Sequence, residues 1–73
     1  MKKVALKNVK KGDYFILTDK VQTNENWEVP SKYVYVKGHY NRSDKDYTCH
    51  KFDDICAERF FKGSKQVYVD FIF

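Results

Sequence analysis

Two short segments of alternating residues constrain this chain more than any other feature: Tyr33-Val34-Tyr35-Val36-Lys37-Gly38-His39-Tyr40 and Tyr47-Thr48-Cys49-His50-Lys51-Phe52, separated by the polar run 41–46. Successive side chains of a strand point to opposite faces, so a period of two that separates aliphatic from aromatic and basic residues is the pattern of a β-hairpin. With Arg42-Ser43-Asp44-Lys45 at the tip, Asn41 pairs with Asp46 and Tyr40 with Tyr47. This register predicts that Val34, Val36, Gly38, Tyr40, Tyr47 and Cys49 share one face. Tyr33, Tyr35, Lys37, His39, Thr48, His50 and Phe52 then share the other. It also sends Lys51 inward, a conflict that a bulge or the mouth of a barrel near the strand end would relieve.

The flanking segments extend the β pattern. Val4-Ala5-Leu6 reads as a brief edge strand, and residues 8–13 carry turn chemistry at Gly12-Asp13 ahead of Tyr14-Phe15-Ile16-Leu17-Thr18. Phe15 and Leu17 share one face of that strand and Tyr14 and Ile16 the other, so it is predicted to be central or covered. Residues 19–32 read as a long polar loop in which Val21, Trp27 and Val29 are the apolar exceptions. Trp27 serves there as a lid over the core or as a contact residue, with packing favoured because large aromatics bury well. Asp53-Asp54 suits the cap of one short helical turn near residues 53–58. Residues 58–62 fit helix or strand, and strand is preferred. Lys62-Gly63-Ser64-Lys65 then turns the chain into Gln66 to Phe73, a strand with Val67, Val69, Phe71 and Phe73 on one face.

Composition agrees with this pattern, since aromatic residues make up 18% of the 73 positions and favour strands. The length suits a single β domain over residues 1–73. Five main strands with short connections predict an all-β fold, a curved antiparallel sheet or barrel of SH3-like or OB-like type. Met1-Lys2-Lys3 begins like a signal peptide, but Lys7, Asn8, Lys10 and Lys11 interrupt the apolar run that would have to follow. No stretch approaches membrane-spanning length. A cytoplasmic location is expected, with no membrane partner and with Cys49 and Cys56 reduced.

Catalytic and metal-binding patterns are weak. Cys49 and His50 are adjacent on a strand and point to opposite faces, and no C-x-x-C knuckle supplies paired thiolates. His39, opposite Thr48, lies on the wrong face to activate Cys49 as a nucleophile. Asp53-Asp54 looks like a cap and Asp44 with Asp46 like a hairpin tip, so neither reads as an acid–base pair. Neither enzyme activity nor a metal or cofactor is expected.

The outward face of the hairpin remains as the candidate surface. Tyr33, Tyr35, Lys37, His39 and His50 share it, Arg42 and Lys45 sit at its tip, and Tyr68 on the last strand is placed to extend it. Aromatic rings stack on bases and cations neutralise phosphates, so the face suits single-stranded or structured nucleic acid. The formal charge of +4 permits this, although the ten acidic residues are interspersed among the fourteen basic ones. The same face suits a protein partner, because cross-strand aromatic pairs also build interfaces. An apolar C-terminal strand at a sheet edge would further invite a homodimer.

The runs Lys11-Gly12-Asp13-Tyr14-Phe15, Tyr40 to Tyr47, Phe52-Asp53-Asp54, Arg59 to Gly63 and Val67 to Phe71 resemble small uncharacterised proteins of gut bacteria and their phages. That resemblance spans most of the chain from Leu6 onward and implies a compact accessory protein of a mobile element. It implies no activity and no site residues.

Overall fold

The computed structural model describes the backbone of residues 1–73 and every side chain but that of Ile55. The chain forms β1 (Lys2–Ala5), a 3-10 turn (Leu6–Asn8), β2 (Tyr14–Phe15), a second 3-10 turn (Ser31–Tyr33), β3 (Tyr35–Asn41), β4 (Asp46–Lys51), β5 (Asp54–Lys62) and β6 (Gln66–Val69). The fold is all-β, with six strands rather than the five expected. β2, β3, β4 and β5 form one antiparallel sheet in that order, and β1 pairs with β6 in a second. Ile16 and Tyr68 exchange backbone hydrogen bonds of 3.0 and 2.9 Å that join the two sheets. The sheets do not close into a barrel.

The hairpin tip forms as the sequence predicts, with Tyr40 opposite Tyr47 and Asn41 opposite Asp46. Further along, the register slips: Lys37 stands opposite Cys49 and Tyr35 opposite Lys51, so β3 carries one extra residue between Lys37 and Tyr40. The cause lies at Gly38, where the Thr48 carbonyl oxygen comes within 2.2 Å of the place a Cβ would occupy. Only glycine admits so close an approach of the facing strand. Because strand side chains alternate, one extra residue moves everything before it to the other face.

Two clusters hold the sheets together. Leu6, Val9, Phe15, Cys49 and Val67 are buried in one, with Tyr35, Tyr47 and Phe61 packed against it. Alternation along β2 sends the next residue, Ile16, into the other with Val29 and Val34, where Val21, Tyr68 and Phe71 pack. Phe15 and Ile16 are therefore covered on opposite faces, as the pattern predicts, whereas Tyr14 at the start of the segment stays exposed.

Near the C-terminus four expectations are corrected and one holds. The helical turn near residues 53–58 is absent, because Asp54 Oδ1 accepts the Cys56 N–H at 3.1 Å inside an extended strand that supplies the second partner of β4. The preferred strand at 58–62 forms and turns Phe61 onto Phe15 and Tyr35 at ring separations of 6.2 and 5.8 Å. The turn at Lys62–Lys65 is tight, but β6 leaves β5 and pairs with β1, while Lys7 N–H donates to the Gly63 carbonyl. β6 ends at Val69 and does not run to Phe73, since Asp70 takes a left-handed conformation at φ 59°. With β1 on one side and Ile16 on the other, it is no free edge.

Candidate interaction surfaces

The slip at Gly38 dismantles the expected aromatic and basic face. Tyr35 lies on the core side, stacked on Phe15 at 5.8 Å. Lys37 is 5% exposed. Its ammonium donates to the carbonyls of Val9 and Lys7 and stands 4.1 Å from the Tyr47 ring centroid. This cage of oxygens and an aromatic face stabilises a charge that lacks water, and burial pushes the Lys37 amine below its usual range. Cys49, buried opposite, is pushed above the usual thiol range by the same loss of water, with a hydrogen bond at Gly38 pulling the other way. Both cysteines are free, Cys49 inside as predicted and Cys56 exposed.

The other predicted residues are scattered. His39 is exposed at the bulge, and Arg42 and Lys45 are exposed at the tip. His50 stands on the outer face between Val36 and Glu58. Tyr33, exposed in the second 3-10 turn, joins Tyr35 in lining a cleft of about 350 Å³. Tyr68 packs on the Ile16 cluster. At about 3.3 Å per residue, the tip lies about 20 Å along β3 from Val36, too far for its cations to join a site at the base of the hairpin.

What gathers on the outer face instead is a cluster of three rings. Tyr14, opposite Val36 on β2, meets Phe52 at 5.6 Å and Phe73 at 4.9 Å, and Phe52 meets Phe73 at 4.9 Å. Their exposures are 44, 43 and 38%. Local backbone sets each ring: the Phe52 N–H donates to the Val34 carbonyl at 2.9 Å, and the Val29 N–H to the Ile72 carbonyl at 2.6 Å, which ties down the tail ending in Phe73. The row beside Tyr14 runs Val36, His50, Glu58 across the sheet. A cleft of about 470 Å³ opens beyond Tyr14 and Phe73, with Lys2, Lys10, Asp13 and Asp70 among its lining.

Sequence reasoning placed Phe52 outward but did not gather it with Tyr14 and Phe73. The available signal was Asp70, a residue type that tolerates the left-handed region, interrupting an otherwise apolar strand. Trp27, for which packing was favoured, is instead 77% exposed.

Among the described residues, no group of three or more His, Cys, Asp or Glu is placed to hold a metal ion, and no helix is long and apolar enough to cross a membrane. No protein-family model, curated protein or solved structure matches the chain.

Proposed function

We propose that this protein is a non-enzymatic binding module that contacts a protein partner through Tyr14, Phe52 and Phe73. The observation that carries the proposal is a contiguous aromatic cluster left in solvent. Binding energy at protein interfaces concentrates on such rings, and contiguous exposed apolar surface marks interaction sites. The neighbouring row, Val36, His50 and Glu58, offers no surplus of cations for phosphates. The resemblance to small proteins of gut bacteria and their phages fits an accessory protein, self-assembling or inhibitory.

Capture from the cell of origin, with and without nuclease, tests this. Wild type is expected to retain a protein that survives nuclease, and Phe52→Ala to retain it about tenfold less or worse. Equal capture by both chains, or recovery of nucleic acid alone, contradicts it.

A second reading, nucleic-acid binding, draws support from the cleft beside the cluster, where Lys2 and Lys10 stand with Tyr14, Phe71 and Phe73. Rings for stacking and amines for phosphate are the elements of a single-strand site, although Asp13 and Asp70 line the same cleft. Binding there would weaken steeply as salt rises. An oligonucleotide that leaves intrinsic fluorescence unchanged at low salt removes this reading.

A further inference from the structure

Among the described residues Trp27 has the highest exposure of the large hydrophobic side chains left in solvent, at 77%, and its backbone sits at φ 63°, a region that bulky residues rarely occupy. The loop around it is stapled. Asn24 Oδ1 accepts the N–H groups of Asn26 at 2.9 Å and Glu28 at 3.0 Å, and the Asn24 carbonyl accepts the Trp27 N–H at 3.0 Å. Val29, buried just beyond, ties the loop to the C-terminal segment. An indole presented on a braced loop, outside both buried clusters, points outward to a partner.

The chain carries a receptor of matching chemistry. The cleft of about 350 Å³ is lined by Leu17, Val21, Tyr33 and Tyr35, with Lys32 and Lys51 among its walls. An apolar cavity of about 150 Å³ already admits benzene, so this one accommodates an indole. Ammonium groups are attracted to the indole face. Glu25 and Glu28 flank Trp27, so the loop brings carboxylates to a cleft that presents amines. That acidic setting disfavours nucleic acid as the partner. With loop and cleft on the same chain, a two-fold pairing lets each copy supply what the other receives.

We infer that the protein self-associates by seating Trp27 of each copy in the Tyr33–Tyr35 cleft of a second copy. The contact uses residues other than Tyr14, Phe52 and Phe73, although the pairing of Glu28 with Ile72 sets the Trp27 loop beside the tail that ends in Phe73. Two indoles and their loops form a small interface, below the roughly 1,200 Å² of standard stable complexes, so the dimer is weak and concentration-dependent.

Trp27 is the single tryptophan of the chain, so its fluorescence reports this contact directly. Across a concentration series of the full chain, its emission should move to the blue and resist acrylamide quenching in step with the rise from monomer to dimer in sedimentation. Trp27→Ala should weaken association about thirtyfold or more while unfolding like wild type, its side chain being exposed. Lys32→Glu should weaken association, and pairing it with Glu25→Lys should restore it. A monomer at every concentration overturns the inference, as does a dimer that forms with unchanged Trp27 emission, an undiminished Trp27→Ala dimer, or a charge swap that restores nothing.

Discussion

Lys37 and Gly38 are the residues on which the placement of every hairpin side chain turns. Replacing Lys37 with Ala leaves the Val9 and Lys7 carbonyls without their donor and Tyr47 without its cation, and should cost about 1–3 kcal/mol in urea unfolding. Gly38→Ala drives a methyl into the Thr48 carbonyl and should cost at least as much, about 1–3 kcal/mol or more. The buried pair also shapes the response to alkali. Cys49 titrates above its ordinary value of 9.0, so beyond that pH the unfolded chain has lost a proton that the folded chain keeps, and stability falls as pH rises. Lys37 acts oppositely: its folded value lies below 10.5, so in the window beneath 10.5 the unfolded chain holds more protons and stability rises with pH. Cys49→Ala removes the first effect, and it also takes away the thiolate that holds the Lys37 value up, so Lys37 titrates lower still. Its stability should therefore decline less than that of wild type above pH 9, and parallel curves would show the thiol to be water-exposed.

Among the elements, the hairpin shows how far a pattern carries. Its tip was legible because turn residues and alternation agree over Tyr40 to Tyr47, and the two-sided burial of Phe15 and Ile16 was legible because both faces of that segment are apolar. The slip was not, because a glycine in a strand marks a bulge without showing how the next strand approaches it. Lys51 faces the core side as its register predicts, half-buried opposite Tyr35, and the irregularity expected beside it is present as a shift against β5 between His50 and Lys51. The aromatic and basic face failed for the same reason, since Tyr35 and Lys37 precede the extra residue. The C-terminal strand was overextended because Val67, Val69 and Phe71 continue the period while Asp70 alone breaks it. Asp70→Val places a β-branched side chain at φ 59° and should cost about 1–2 kcal/mol while loosening Phe73 from Tyr14 and Phe52. Asp70→Gly should unfold close to wild type. Equal melting of both variants would mean that the left-handed turn does not form.

The molecule as a whole is elongated, with Cα extents of 43 × 25 × 17 Å, which separates surfaces that a rounder domain would bring together. The hairpin tip lies far along β3 from the Tyr14–Phe52–Phe73 cluster, while the Trp27 loop is tied to the tail that carries Phe73; the cluster is the surface proposed for a protein partner. Hydroxyl-radical footprinting of the free chain against the chain bound to captured, nuclease-treated material tests that assignment most directly. Tyr14, Phe52 and Phe73 should oxidise readily in the free protein and become protected together in the complex, while His39 and Tyr40 keep their reactivity. Protection confined to His39, Tyr40 and the tip, with the three rings as reactive as before, would contradict the assignment.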